Sequence, residues 1–175
     1  MSTLRLCNVD PSTLALETCK TVIASMRTLS GLIGLPIMLS FDESLLVLSP
    51  LFKLVRDLTV YAKAGESESE ETIPQRIGKL DALYLGPLGY PLAPPPDTEL
   101  ELVIAAAQAR WLLHTGHRIT TAQLAILVSL DRMRIQQMIS AGEIRAIQER
   151  TGRRGWSVTV YSACKLIAER SEAAR

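Results

Sequence analysis

A short basic and polar segment near the C-terminal end of the chain carries the side chains best suited to binding chemistry. In RMRIQQMISA (132–141), Ile135, Met138 and Ile139 recur at helical spacing, which predicts one buried face. The residues left for the outer face are Arg132, Met133, Arg134, Gln136, Gln137 and Ser140. Arginine can donate two hydrogen bonds to guanine, glutamine can pair with adenine, and serine can bind phosphate. This set is typical of a helix that enters the major groove of double-stranded DNA.

A second basic cluster follows directly in the chain. Two extended runs, 144–149 and 156–160, predict a β-hairpin whose turn (150–155) contains two glycines and three arginines, Arg150, Arg153 and Arg154. Glycine lets the backbone approach a phosphate closely, and the arginines supply charge. An ordinary helical hairpin with a solvated polar face would explain the preceding helices alone. A solvated turn rarely needs three arginines, so the hairpin favours the DNA-binding interpretation over the solvated one.

Local signals predict the elements that position these residues. Thr120 and Gln123 form a capping box, so a first helix starts near Thr121 and buries Leu124, Ala125, Leu127 and Val128. Ser129 and Leu130 make the turn, Asp131 caps the second helix, and Gly142 ends it. We expect Ser162 to cap a last helix. That helix should return Leu166 and Ile167 to the core, with Cys164 as a small buried hydrophobe.

Residues 119–170 resemble the winged helix-turn-helix of the excisionase and MerR-like DNA-binding families. The TTAQLA opening (120–125), the Asp131-Arg132 helix start, the AGEI exit (141–144) and the capped helix after the wing carry this resemblance. It implies that the second helix occupies the major groove and that the wing contacts phosphates or the minor groove. Ser129 stands where the family usually has glycine, and Arg145 where proline is common. The wing and last helix, GRRGWSVTVYSACKLIAER (152–170), are also similar to the winged domain of phage small terminase subunits, which usually lies at the N-terminus.

Charge is distributed unevenly along the chain. Residues 1–116 hold 9 Lys/Arg against 13 Asp/Glu, whereas residues 117–175 hold 10 against 5. The basic part predicts an anionic partner for the C-terminal third only. We expect a mainly α fold with three parts: an α-helical hairpin or bundle (1–64), an acidic then Pro/Gly-rich linker (65–97), and the winged helix-turn-helix (98–175) with its small β-hairpin.

The N-terminal half is predicted from caps and apolar spacing. Asp10-Pro11 starts a helix to about Leu29, and Ser49-Pro50 starts another that ends at Gly65. A short helix (42–48) precedes the second one, and the apolar run 32–41 is a buried connector or a short strand. The first helix has an apolar stripe that either faces the core or forms a dimer seam. The stripe contains Ala15, Cys19, Val22, Ile23, Met26 and Leu29.

The middle of the chain predicts little regular structure. GESESEET (65–72) is a solvated acidic loop, for which a metal site is a remote alternative. Prolines and glycines from Pro74 to Pro96 predict a segment that wraps over a surface without a long regular element. Thr98 and Glu101 then cap a helix that ends at Gly116 and packs under the predicted DNA-binding helices.

Several classes of protein are disfavoured. Three separated cysteines are unlike a disulfide framework or a zinc site, no signal peptide is recognisable, and the longest apolar run (32–39) is too short for a membrane span. His114 and His117 lack a third metal ligand. No catalytic constellation is recognisable, so we expect that the protein is not an enzyme and needs no cofactor. The cysteine pattern and the lack of a recognisable signal peptide or membrane span predict a soluble cytoplasmic protein.

The sequence therefore predicts a sequence-specific protein that binds double-stranded DNA. It would be a transcription regulator, such as a repressor or autorepressor, or an excisionase-like recombination directionality factor, and a homodimer through the N-terminal helices. The alternative is a protein–protein interaction module such as an adaptor, an antitoxin or a phage-type inhibitor. The expected DNA-binding residues are Thr121, Arg132, Met133, Arg134, Gln136, Gln137, Ser140, Arg145, Arg150, Arg153 and Arg154.

Overall fold

The computed structural model describes residues 5–32, 43–66, 71–85, 98–148 and 155–173. These residues are mainly helical, with one small antiparallel sheet. A 3-10 turn (Leu6–Asn8) precedes the first helix. The elements that follow are α1 (Pro11–Leu32), α2 (Glu43–Leu46), α3 (Pro50–Ala64), α4 (Ile73–Leu85), α5 (Glu99–His114), β1 (Ile119–Thr120), α6 (Thr121–Val128), α7 (Arg132–Ser140), β2 (Ala146–Gln148), β3 (Trp156–Val158) and α8 (Val160–Ala173).

Helices α1 and α3 pack against each other, as the sequence predicts for the N-terminal half. The Asp10 carboxylate accepts a hydrogen bond from the Thr13 N–H at 2.7 Å, and the Ser49 hydroxyl accepts one from the Phe52 N–H at 3.1 Å. Both caps start their helices where the sequence predicts. Helix α3 ends at Gly65, whose φ of +83° favours glycine. The short helix α2 is a single turn, and the expected connector 32–41 lies almost wholly outside the described residues.

The apolar stripe of α1 faces the core for only part of its length. Ala15, Cys19 and Val22 are buried, but Met26 is 45% exposed. The core-facing interpretation is therefore confirmed for the first half of the stripe and wrong at Met26. The burial raises the pKa of the Cys19 thiol and leaves it a neutral core side chain at neutral pH.

Helix α4 contradicts the prediction of an irregular segment after Pro74. The helix spans Ile73–Leu85, and Ile77 and Leu80 are buried on its inner face. Pro74 occupies the first turn, where a missing N–H costs nothing, and the next proline is Pro87. The start of α4 also has a capping contact that was not predicted: the Thr72 N–H donates to Oε1 of Gln75 at 2.9 Å. This is one half of the Thr-x-x-Gln pattern that the sequence displays again at 120–123.

Helix α5 lies at the centre of the fold, in contact with α3, α4, α6 and α8. It is capped by Thr98, whose hydroxyl accepts from the Glu101 N–H at 3.3 Å. Ala106, Ala107 and Ala109 are fully buried, and their small side chains let the neighbouring helices approach closely. One hydrophobic cluster runs from α1 through α3 and α5 to α6, α7 and α8.

The three strands form an antiparallel sheet in the order β1-β3-β2. The hairpin pairs Ala146 with Val158 and Gln148 with Trp156, and β1 adds Ile119 opposite Val158. The sequence predicts the hairpin but not β1. That two-residue strand carries no periodicity of its own and exists because β3 offers a free edge.

Helix α8 starts earlier than predicted, which corrects two expectations. Ser162 lies inside the helix, not at its cap, and its hydroxyl accepts a hydrogen bond from the Arg145 N–H at 3.1 Å. Cys164 is exposed instead of buried. The inner face of α8 is formed by Ala163 and Leu166, with Ile167 partly buried, and Cys164 is turned away from that face.

Candidate nucleic-acid interface

The α6–α7 pair is built from a complete capping box. The Thr120 hydroxyl accepts from the Gln123 N–H at 3.2 Å, while the Thr120 N–H donates to Oε1 of Gln123 at 2.9 Å. Such reciprocal bonds satisfy two backbone donors that a helix start leaves without partners. Behind the cap, Leu124 is fully buried and Ala125, Leu127 and Val128 nearly so. The predicted inner face of this helix is confirmed.

The turn between the two helices depends on Ser129. Its φ of +52° and ψ of +38° are left-handed, and it is the one non-glycine residue with positive φ in the described part of the chain. The Leu130 N–H donates to the Ala125 carbonyl at 3.0 Å and closes the turn. A left-handed residue is required here, and glycine would adopt this conformation without the steric cost that serine has.

Helix α7 follows at once because Asp131 caps it. The Asp131 carboxylate accepts from the Met133 N–H at 2.7 Å. Ile135 is fully buried, and Met138 and Ile139 are half-buried against the core. The Glu143 N–H donates to the Met138 carbonyl at 2.9 Å around Gly142, whose φ is +77°. Hydrogen bonds at both ends and core packing of the inner face therefore fix the position of α7, and its opposite face points to solvent.

The outward face of α7 is basic and polar, as predicted. Most of its side chains are exposed, and Gln136 is half-buried. Nη1 of Arg134 lies 3.4 Å from Oε1 of Gln137, so these two side chains are neighbours. In the described part of the chain neither Arg132 nor Arg134 forms an ion pair with a carboxylate. The exposed residues are Arg132, Met133, Arg134, Gln137 and Ser140.

Met133 presents an apolar side chain in the middle of this polar face. It is 64% exposed and lies between two exposed arginines. A thioether chain at that place can contact a thymine methyl group, which polar side chains recognise poorly. The arrangement can thus make both hydrogen bonds and apolar contacts to a base edge.

Arg145 lies beside α7 at the start of the hairpin and is exposed. Its carbonyl accepts from the Thr159 N–H at 3.1 Å, and its own N–H donates to Ser162. These two bonds fix the backbone from which the guanidinium extends. Arg150, Arg153 and Arg154 lie outside the described residues, so the predicted wing contact has no geometry here.

Thr121 differs from the other predicted site residues because its side chain is buried, with 3% of the residue exposed. It is the first residue of α6 and points into the core, since the apolar face of this helix begins with it. Its side chain therefore offers almost no surface to a ligand, and we leave it out of the candidate interface.

Two residues at the edge of this region were not predicted. Trp156 pairs with Gln148 across the hairpin and is 37% exposed. Arg118 is exposed directly before β1. The sequence pattern alone does not reveal them, because β1 was not predicted and the orientation of Trp156 depends on the register of the hairpin.

His114 and His117 do not converge. Nδ1 of His114 lies 3.0 Å from the Tyr61 hydroxyl, and Nδ1 of His117 lies 3.0 Å from the Thr115 hydroxyl. Among the described residues no group of three or more His, Cys, Asp or Glu is placed to hold a metal ion. In the same residues, no helix has the length and apolar character needed to cross a membrane.

Comparisons of the chain with models of protein families, with curated proteins and with solved structures found no match. The likeness to the excisionase and MerR-like families therefore stays a prediction from the residues quoted above.

Proposed function

We propose that this protein binds double-stranded DNA in a sequence-specific manner through a winged helix-turn-helix formed by residues 98–175. Helix α7 would enter the major groove, and the hairpin turn 150–155 would contact the phosphate backbone. The protein would act as a transcription regulator, such as a repressor or autorepressor, or as an excisionase-like recombination directionality factor.

The observation that carries the proposal is the outward face of α7. Two arginines without a carboxylate partner and an exposed glutamine lie on a helix whose other face is anchored in the core. An ordinary solvated helix face usually mixes charges of both signs, whereas α7 contains no acidic residue. A cationic face with flat hydrogen-bonding groups matches the acceptors that guanine and adenine present in the major groove.

The order of elements supports the same proposal. A helix pair, then an antiparallel hairpin, then a closing helix follow one another within 55 residues, 119–173. Pairing of β1 with β3 holds the hairpin beside the start of α6. In this arrangement a groove-binding helix and a phosphate-binding wing can contact the same stretch of duplex.

A single domain of this size contacts only a few base pairs. Useful discrimination in a genome therefore needs two copies on neighbouring half-sites. We propose that the protein is a homodimer through its N-terminal helices. The spacing of the two half-sites would then follow from the distance between the two α7 helices.

Selection of bound sequences from random duplexes tests the proposal. The wild-type chain should enrich one motif, as a palindrome or a direct repeat. A variant with Arg132→Ala, Arg134→Ala and Gln137→Ala should enrich none, and Arg56→Ala on α3 is the matched control that should enrich the same motif as the wild type. Absence of any binding to duplex DNA at low salt would reject the function.

A second candidate function is binding of a protein partner. Leu45, Val47 and Leu48 are 59%, 46% and 68% exposed, and they form an apolar run over the end of α2 and the turn that follows it. Runs of this kind are common at protein interfaces. If duplex DNA does not bind, we expect Leu45→Ser with Leu48→Ser to abolish capture of a protein partner or of a second copy. Sedimentation velocity distinguishes self-association from binding of another protein.

A further inference from the structure

A cavity of about 450 Å³ lies between the N-terminal segment, the C-terminal ends of α3 and α6, and helices α5 and α8. Four cationic side chains line it: Arg5, Lys63, Arg110 and Arg170. No aspartate or glutamate is among its lining residues in the described part of the chain. Its volume is in the range of small-molecule sites.

The two inner cations have neutral hydrogen-bond partners. Nζ of Lys63 donates to the carbonyls of Cys7 and Val9 at 3.2 and 3.0 Å. Nε and Nη2 of Arg110 donate to the carbonyls of Ala62 and Lys63 at 2.6 Å each. Carbonyls fix these side chains in place but do not neutralise their charge, and no hydrogen bond engages Nη1 of Arg110 among the described residues.

Helix dipoles and distant carboxylates compensate little of this charge. The C-terminal ends of α3 and α6 each contribute about half a negative charge. Four formal positive charges therefore exceed the local negative charge by about three. Asp10 is the carboxylate that interacts with Lys63. Its pKa is lowered mainly by the Thr13 hydrogen bond, and Lys63 adds only the smallest contribution.

Arg110 also carries its charge in a partly dehydrated place. Burial lowers the pKa of its guanidinium, although arginine remains charged at neutral pH. A desolvated cation without a carboxylate partner gains most from an anion, because the attraction is screened less there than at the surface. The positive charge around the cavity therefore favours binding of a negatively charged ligand.

The rest of the lining is largely aliphatic, with Cys7 and two serines, Ser129 and Ser171, beside it. Leu6, Leu127, Val128 and Ile167 contribute aliphatic surface next to the cations. A ligand with a charged group at one end and an apolar body would use both kinds of surface. Arginine forks bind phosphate in a bidentate manner, and a phosphate dianion matches several cations better than a single carboxylate does.

We propose that this cavity is a binding site for a small organic phosphate. The ligand contacts residues of the N-terminal segment, α3, α5 and α8 at once, so it links the N-terminal helices to the elements that hold α6 and α7. The site is separate from the outward face of α7, and its existence does not depend on DNA binding.

Calorimetric titration of the full chain with phenyl phosphate at constant ionic strength tests the site. We expect saturable binding at one site per chain. The variant Arg5→Gln with Arg170→Gln should bind at least about tenfold more weakly, as the loss of charged hydrogen bonds implies. Both side chains are exposed, so this variant should fold, and a thermal unfolding curve checks that it does.

Arg118→Gln is the matched control, because Arg118 is exposed and lies outside the cavity. It should keep the wild-type affinity for phenyl phosphate. Equal affinity in the wild type and in the Arg5/Arg170 variant would overturn the site. Binding of neutral phenol or of phenylacetate as tight as that of phenyl phosphate would overturn the phosphate assignment.

A measurement of duplex DNA binding distinguishes a small-molecule site from a second contact to the DNA phosphate backbone. The Arg5/Arg170 variant should bind DNA with wild-type affinity if the cavity serves a small ligand. Loss of DNA affinity in that variant, with phenyl phosphate binding unchanged, would assign these cations to DNA and overturn the proposal. The titration itself contains no DNA, so its result is independent of the function proposed above.

Discussion

The Arg110 guanidinium on α5 donates from Nε to the carbonyl oxygen of Ala62, in the last turn of α3, at 2.6 Å. The same group donates from Nη2 to the carbonyl of Lys63, and Gly65 leaves room for it, because a Cβ there would lie 3.2 Å from Nη1. Carbonyls at a helix end have no partner within the helix, so Arg110 supplies the C-terminal cap of α3 from another helix.

Replacing Arg110 with alanine should lower the free energy of unfolding by about 2–3 kcal/mol, since hydrogen bonds from a charged donor are lost and two carbonyls remain uncapped. Arg110→Lys should lose less, because it keeps the charge but not the forked geometry. Urea unfolding measures both. Arg56→Ala removes an exposed pair with Asp57 and should change stability by less than about 0.5 kcal/mol. Equal stability of the wild type and Arg110→Ala would show that this cap has no energetic role.

Ser129→Gly should stabilise the protein, although it removes a side chain. The left-handed backbone costs serine about 1–2 kcal/mol relative to glycine, and the greater freedom of glycine in the unfolded chain offsets part of this gain. We expect a net increase of about 0.5–1 kcal/mol in the free energy of unfolding. Thermal unfolding by circular dichroism measures it. A decrease would mean that the serine side chain contributes more than its backbone strain costs.

Gly78 and Gly116 form a matched pair for alanine substitution. A Cβ at either position meets no atom within 4 Å, so only backbone conformation differs. Gly78 is inside α4, and Gly78→Ala should stabilise by about 0.5–1 kcal/mol. Gly116 has a φ of +79°, and Gly116→Ala should destabilise by about 1 kcal/mol. Effects of the same sign in the two unfolding experiments would contradict the backbone argument.

The DNA proposal predicts that α7 variants lose discrimination. Arg132→Ala or Gln137→Ala should reduce the difference in binding free energy between the selected site and random DNA by about 1–3 kcal/mol. Affinity for random duplex should change less. Fluorescence anisotropy with both duplexes measures the difference, with Arg56→Ala as the control. Equal losses on both duplexes would mean that these side chains contact only the backbone of DNA.

Removal of the arginines in the turn 150–155 should lower DNA affinity without changing discrimination between sequences. Arg153→Ala with Arg154→Ala should weaken binding to every sequence and flatten the dependence of affinity on salt by about two units of slope. A gel-shift series across salt concentrations measures the slope. Full affinity of this variant at all salt concentrations would exclude a phosphate contact by the turn.

Features that span three or four residues were predictable from the sequence. The capping box at Thr120 and the N-caps at Thr98, Asp131 and Ser49 form as expected, because each joins a side chain to a backbone group within one helical turn. The buried face of α7 follows in the same way from the spacing of Ile135, Met138 and Ile139. The unpredicted helix α4 has a similar local signal at Thr72 and Gln75, but the many prolines and glycines between 74 and 96 predict an irregular segment there.

Features that join distant parts of the chain were not predictable. Ser162 has the spacing of a helix cap, but α8 starts three residues earlier than such a cap implies, and the Ser162 hydroxyl accepts from the Arg145 N–H, 17 residues away. Thr121 faces the core and Cys164 faces solvent, because neighbouring elements decide which side of a helix is covered.

The sequence by itself determined where most helices begin and end and which residues of α7 point outward, since these follow from local hydrogen bonding and helical periodicity. Only the tertiary structure decided that Arg110 caps α3 across 48 residues and that four cations from separate elements surround one cavity. Such contacts depend on how the elements pack together, and the spacing of residues along the chain does not indicate which distant elements will become neighbours.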